Sequence, residues 1–392
     1  MQYRNDKYGN PISVLGFGCM RFTQTAGRIN MEKAEAEIME AFRGGVNYFD
    51  TAYIYPGSEA AVGAIFEKNG IRDQINIATK LPHYLLKKHD DLDRYFNEQL
   101  KRLRTDHIDY YLMHMLTDTL TWNRLEELGI KEWLTEKKAC GQIRQIGFSY
   151  HGNSDTFCDL LECYDWEFCQ IQYNYLDETS QAGITGLKKA AGMGLPVIIM
   201  EPLRGGRLVN NLPRGAKEAI ERYPKQKTPA GWAFDWLWDQ SEVTCVLSGM
   251  NSTEMVRENV ENASAAKPGM LTAEDRALIE TVKKEINAKI RVPCTGCRYC
   301  MPCPQGVDIP GTFSSYNKIY SDNWFTGEKE YFMTTTLRTV SAAASKCVKC
   351  GKCEQHCPQH ISIRSSLEEA RKKLEGPVYR IGAWGIRLFR KY

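Results

Sequence analysis

The chain has 392 residues, 43% apolar and 25% charged, and its 51 Lys/Arg against 48 Asp/Glu leave a formal charge of +3. These values exclude a disordered, collagen-like or coiled-coil chain, and no Lys/Arg run interleaved with aromatics in the main body points to nucleic acid. The longest aliphatic stretch, around Val197-Ile198-Ile199-Met200, falls far short of the ~20 residues of a transmembrane helix. Met1 to Lys7 lacks the apolar core of a secretory leader, so a cytoplasmic, reducing location is expected.

Over residues 1–270, β-branched apolar runs alternate with stretches of 3.6-residue periodicity. Strands are predicted over Ile12–Met20, Asn47–Ala52, Ile75–Leu81, Ile108–His114, Ile143–Tyr150, Phe168–Tyr175, Pro196–Pro202 and Val243–Met250. Helices are predicted between them at Met31–Gly45, Ser58–Asn69, Leu92–Arg104, Leu125–Cys140, Asp155–Cys163, Gly183–Met193, Thr228–Gln240 and Thr253–Ala266. Eight such pairs in series predict an α/β fold, a parallel (β/α)8 TIM barrel, with a small hairpin at Gly9-Asn10 closing its bottom. A connecting helix is expected over 271–290 to lead the chain away from the barrel. A mainly helical, cysteine-bearing module (291–364) and a tail (365–392) packing on the barrel or a partner follow.

Six of the fourteen cysteines are scattered and are expected to be packing residues. The other eight form two groups. Cys294, Cys297, Cys300 and Cys303 precede Pro304 as C-x2-C-x2-C-x2-C-P, and Cys347, Cys350, Cys353 and Cys357 precede Pro358 as C-x2-C-x2-C-x3-C-P. The second matches the bacterial ferredoxin run, and evenly spaced triplets followed by Cys-Pro separate both from zinc knuckles. By the ferredoxin rule, Cys294, Cys297, Cys300 and Cys357 hold one [4Fe-4S] cluster, and Cys347, Cys350, Cys353 and Cys303 the other. The first group is one residue short before its last Cys, which leaves a three-iron site open there. From Pro293 onward, 15 Lys/Arg face 8 Asp/Glu. Part of this excess offsets the negative clusters, so nucleic acid is not needed to explain it.

Barrel chemistry sits at the C-terminal ends of strands, and three predicted ends carry ionisable groups: Asp50 and Tyr55, Lys80, and His114. A tyrosine beside a lysine is expected to have its phenol pKa lowered, with Asp50 holding Lys80, Tyr55 giving a proton and His114 polarising a carbonyl oxygen. Met20-Arg21, His83, Met115–Arg124 and the 203–227 segment are candidates for the substrate pocket.

The runs Asn47–Tyr55, Ile108–His114 and Gly141–Ser149, with the Lys80 strand, resemble the aldo/keto reductases over residues 1–265. With the cysteine module, the whole chain resembles the iron–sulfur-containing members from anaerobic bacteria and archaea. The resemblance implies an Asp50/Tyr55/Lys80/His114 tetrad, reduction of a small carbonyl or oxidation of an alcohol, and NAD(P)(H). It places Ser149 and Gln170 on the nicotinamide carboxamide, Leu203, Arg204, Gly205 and Gly206 near the pyrophosphate, and Ser248, Gly249, Glu258 and Asn259 at the adenosine end. The chain departs from the family at Tyr150, which replaces an Asn, at Met200, which replaces a stacking Tyr, and at Gly249 and Met255, which replace basic residues.

A hydride carries two electrons and a cluster passes one, so coupling them calls for a flavin such as FMN or an outside carrier such as ferredoxin. Two alternatives therefore stand beside the nicotinamide enzyme. One is a ferredoxin-linked reductase using a flavin or cluster electrons; the other is a non-catalytic electron carrier or redox-sensing subunit. An oligomer is compatible with any of them.

Overall fold

The computed structural model describes residues 1–357 and 359–389; Pro358 of the second cysteine motif and the last three residues of the tail, 390–392, lie outside the described residues. Eight parallel strands close into a barrel: β1 (Leu15–Gly18), β2 (Tyr48–Asp50), β3 (Asn76–Leu81), β4 (Ile108–Leu116), β5 (Ile143–Tyr150), β6 (Phe168–Gln172), β7 (Val197–Met200) and β8 (Val243–Ser248). Each pairs with its neighbour in sequence, and β8 returns to β1. All eight predicted strands are present. The hairpin of Tyr3–Asn5 with Pro11–Ser13 seals the bottom, where Asp6 accepts from the Tyr110 hydroxyl inside the barrel.

Strand periodicity sorts the side chains. Tyr48, Ala78, Tyr110, Leu112, Phe168, Ile198 and Cys245 fill the interior, while Phe49, Ile77, Tyr111, Cys169, Ile171 and Val246 face the helices. Two steps beyond Tyr48 and Ala78 come Asp50 and Lys80, and the same count leads from Leu112 to His114 and from Phe168 to Gln170. The polar residues are therefore the top layer of the same inward rows.

The segment expected to be pocket loops is partly ordered otherwise. Helices form at Thr119–Glu127 and Arg214–Glu221, and a further short hairpin joins Gln24–Thr25 to Arg28–Ile29. The connecting helix, Ala273–Asn287, starts at a Thr272/Asp275 capping box and does not lead away from the barrel. It buries Leu278, Ile279, Val282 and Ile286 against Ala216, Ile220 and Trp232.

The cysteine module has its own core, built from Val307, Ile309, Phe313, Tyr316 and Tyr331. The tail was expected against the barrel or a partner. Its helices Ile363–Leu374 and Pro377–Phe389 instead send Leu367, Ala370, Leu374, Tyr379 and Ala383 into this core. The driving force is burial of one apolar helix stripe, which the module's core accepts.

A buried ionic joint connects the module to the barrel. Asp177, just past β6, takes Arg204 Nε at 3.2 Å and Lys318 Nζ at 2.9 Å, while Arg204 Nη1 also reaches Asp322 at 3.3 Å. Glu330 pairs with Lys318. Around it, Arg298 pairs with Asp155 at 2.6 Å, and the Thr339 N–H donates to Asp118 at 2.9 Å. At Gly296 (φ 69°) a Cβ would stand 2.5 Å from Thr179 Oγ1, so module and barrel approach closely only without a side chain there.

The two cations pull the Asp177 carboxyl down to about 2 against the effect of burial. Replacing Asp177 by Asn leaves two buried cations without their shared counter-charge. The expected cost is about 3 kcal/mol, read as faster amide hydrogen exchange in both the 203–207 loop and the Ile309–Ser321 helix.

Candidate active site

Asp50 and Lys80 form a buried pair at the barrel mouth, Nζ to Oδ2 2.6 Å, and Nζ also donates to the Thr51 carbonyl at 2.7 Å. The ammonium stands 5.3 Å from the Tyr55 ring centroid, and that ring lies edge-on to His114 with centroids 6.3 Å apart. The structure thus brings all four tetrad candidates together at the ends of β2, β3 and β4.

The Tyr55 phenol is not lowered, as the lysine alone suggested. Burial, aided by the Asp50 and Glu201 charges, pushes it well above the ordinary tyrosine value. The proton therefore stays on Tyr55 at neutral pH. His114 moves the other way: burial, with Lys80, His151 and His83 nearby, lowers its pKa well below the usual imidazole value. It is a neutral hydrogen-bonding group at physiological pH.

Sequence patterns did not single out four further neighbours of the site: Tyr84, His151, Gln181 and Glu201. The Tyr84 hydroxyl lies 3.5 Å from His114 Nδ1, and His151 Nδ1 lies 3.1 Å from Gln181 Oε1. A usable signal for Tyr84 was its place in Pro82-His83-Tyr84, directly after the Lys80 strand. His83, a pocket candidate, is buried beside Tyr84, while Met20 is exposed.

The nicotinamide candidates divide. Ser149 Oγ accepts the Met115 N–H at 2.8 Å, and Gln170, inside the barrel, keeps a buried carbonyl oxygen with no partner among the described residues. That unspent acceptor beside Ser149 fits a carboxamide. Tyr150, where the family has Asn, turns its hydroxyl to the carbonyls of Asn153 and Thr117 and packs its ring on Phe148 and Phe157, away from the mouth. Met200 Sδ lies 3.7 Å from Gln170 Nε2.

Arg204 corrects an expectation: both its ion pairs belong to the joint with the cysteine module, so it is not available as a pyrophosphate grip. Leu203, Gly205 and Gly206 remain in the loop after β7, with Gly205 and Gly206 at φ 70° and 90°. At the other end, the Ser248 hydroxyl accepts from Asn259 Nδ2 at 3.2 Å, Glu258 is bonded to the Thr228 hydroxyl, and the Arg21 side chain covers Gly249.

In the module, Cys294, Cys297, Cys300 and Cys357 line one cavity with Ile309, Phe313, Ile361 and Ile363. A second is lined by Cys303, Cys347, Cys350 and Cys353, with Cys300 at its edge. Two thiol-rich cavities in apolar surroundings suit iron–sulfur clusters. Of the scattered cysteines, Cys19, Cys169 and Cys245 are buried, and Cys140 is exposed.

His83 supplies a pH test. Burial, with Arg124 nearby, draws its pKa from 6.5 down to about 4. The unfolded chain therefore binds a proton between those values that the folded one refuses, and stability is full above pH 6.5 and falls as the pH drops toward 4. A loss of about 3 kcal/mol is expected from this residue. In parallel denaturant titrations, His83→Asn should show a correspondingly shallower slope than wild type.

Comparison with known proteins follows the same division. A family model described as the aldo/keto reductase family matches residues 14–283, and one described as a 4Fe-4S dicluster domain matches residues 293–361. The uncharacterized oxidoreductase YrpG of Bacillus subtilis is 27% identical over 297 residues, covering 64% of this chain and 88% of its own. The NADH-specific methylglyoxal reductase of Escherichia coli is 27% identical over 267 residues, 57% of this chain and 80% of its own. Among solved structures, the holo form of aldo-keto reductase AKR11C1 from Bacillus halodurans superposes with a TM-score of 0.60 at 27% identity, covering 72% of this chain and 96% of that one. The barrel, its strand-end residues and these matches agree: the chain belongs to the aldo/keto reductase family and is an oxidoreductase with a 4Fe-4S dicluster domain on its C-terminal side.

Proposed function

We propose that the protein reduces a small carbonyl compound, or oxidises the corresponding alcohol, at Asp50, Tyr55, Lys80 and His114, using NAD(P)(H) and exchanging electrons through two [4Fe-4S] clusters. The observation that carries this reading is the Asp50–Lys80 pair set beside Tyr55 and His114 in the barrel mouth.

Nicotinamide, when bound, supplies or takes the hydride at the substrate carbon. Gln170 would hold its carboxamide through the free carbonyl oxygen, with Ser149 beside it. Tyr55 holds the proton that a developing alkoxide needs, because its phenol stays protonated at neutral pH. Lys80, fixed by Asp50 and the Thr51 carbonyl, stands over the Tyr55 ring and stabilises the phenolate once that proton has left. Neutral His114 orients the carbonyl oxygen toward Tyr55, and Tyr84 steadies its ring.

Each cluster would be held by three cysteines of one group and the last of the other, as the two cavity linings favour. Such groups supply one-electron carriage. Cys350 and Val348, exposed on either side of Lys349 and close to Lys352 in sequence, offer a place for an outside carrier such as ferredoxin to meet the second.

A second reading, electron supply by the clusters or a flavin without nicotinamide, draws support from one set of observations. Tyr150 turns away from the mouth, Met200 replaces the stacking ring, and Arg204 is committed elsewhere.

Tyr55→Phe should lower carbonyl turnover by about 10²–10⁴-fold while the anaerobic visible spectrum stays unchanged; retained turnover removes Tyr55 as the proton donor. Bleaching of the cluster absorption on adding NADH or NADPH supports the first reading, and bleaching only with reduced ferredoxin supports the second. For the ligand sets, Cys357→Ala should convert the cluster on Cys294, Cys297 and Cys300 to a three-iron form and leave the other intact. Electron paramagnetic resonance of Cys357→Ala and Cys303→Ala should therefore show different clusters altered.

A further inference from the structure

Barrels bind phosphates in the loops after strands seven and eight. Here those loops are 201–207, following β7, and the Ser248-Gly249 stretch that ends β8. The one arginine in them that burial makes rigid, Arg204, has both ends of its guanidinium in ion pairs with Asp177 and Asp322. A phosphate at this site needs its positive charge from residues other than Arg204.

Arg21 reaches the site from the loop after β1, the strand next to β8 in the closed barrel. Its side chain spans the two loops. Cδ lies 2.9 Å from where a Cβ on Gly249 would stand, and Nη2 lies 3.0 Å from the same point on Gly205. Gly249 has no left-handed φ, so its backbone does not require glycine; what fills the space of the missing side chain is the stem of Arg21. No hydrogen bond or ion pair among the described residues engages the Arg21 guanidinium, which is exposed. Two residues beyond Gly205, the Nη1 of Arg207 is buried without a partner among the described residues. A buried cationic donor left unpaired is costly, and an anion arriving at the loop would relieve it.

We propose that Arg21, lying in the cradle formed by Gly205 and Gly249, is the cation that binds the phosphate of a nucleotide cofactor, with Arg207 as its second donor. The planar guanidinium suits two-pronged binding of a phosphate ester. The same chemistry serves the pyrophosphate of a nicotinamide dinucleotide or the phosphate of FMN. The dinucleotide form rests on the function proposed above, whereas the phosphate grip does not.

The test is calorimetric titration of the cluster-loaded protein with NADPH, NADH and FMN in turn, comparing wild type, R21Q and R21K. R21Q should weaken binding about tenfold or more and flatten its dependence on salt, and R21K should restore part of the loss. The visible spectrum of each variant reports that the clusters and fold are intact. Equal dinucleotide affinity in wild type and R21Q overturns the assignment of Arg21 and leaves the nicotinamide reading standing. Binding of FMN alone, weakened in R21Q, supports Arg21 and overturns the nicotinamide reading. If wild type binds none of the three probes, both fail.

Discussion

The candidate active site depends on one buried ion pair, Asp50 with Lys80. Neither charge is solvated, and such a pair is tolerable only when its geometry is good and the remaining donors are used. The Thr51 carbonyl takes a second ammonium proton, and the carboxylate draws the ammonium to one side of the mouth. Burial raises the Asp50 pKa while Lys80 opposes it, so the pair persists as ions through mutual attraction rather than hydration. The rest follows from this placement: the ammonium stands over Tyr55, and its charge helps keep His114 neutral. One buried pair thus places a cation beside the Tyr55 ring and helps keep the neighbouring imidazole uncharged.

The second buried network has a different role. Asp177, Arg204, Lys318, Glu330 and Asp322 join the loops after β6 and β7 to two helices of the cluster module. Arg204 sits at φ 46° and Glu201 at φ 54°, conformations that cost of order 1 kcal/mol each for residues with side chains. The joint offsets that cost by making Arg204 the bridge between two carboxylates. Arg204 is thereby committed to the docked module rather than to a cofactor.

Much of this was legible in the sequence because barrels write their pattern plainly. Each strand is a short apolar run, and a charge at its end violates the pattern, which is how Asp50, Lys80 and His114 stood out. The helix at Thr119–Glu127 did not, because its polar N-cap and mixed composition read as a loop; its order comes from the Asp118 cap and from burial of Trp122 and Leu125. The tail was misplaced for a related reason. Its apolar stripe announced burial but not against what, and only the folded core around Tyr331 supplies the answer. Arg204 shows the deepest limit. A glycine-flanked arginine in a barrel loop suggests a phosphate, and nothing local reveals that Asp177 and Asp322, 27 residues before and 118 after, converge on it.

The division of the barrel mouth explains how a 4Fe-4S dicluster module can be added without rebuilding the candidate site. The module is tied to Asp118 after β4, Asp155 after β5, Asp177 and Ser180 after β6, and Arg204 after β7. Asp50, Lys80 and Arg21 come from β2, β3 and the loop after β1, and the described residues of the module make no ion pair with any of them. Strands hold their ends more firmly than loops do, so Asp50 and Lys80 keep their geometry whatever docks on the opposite arc. His114 stands at the boundary, on β4, the strand whose following loop carries Asp118. It is the one tetrad residue whose strand leads directly into a module contact, and so the one through which docking and chemistry share a structural element.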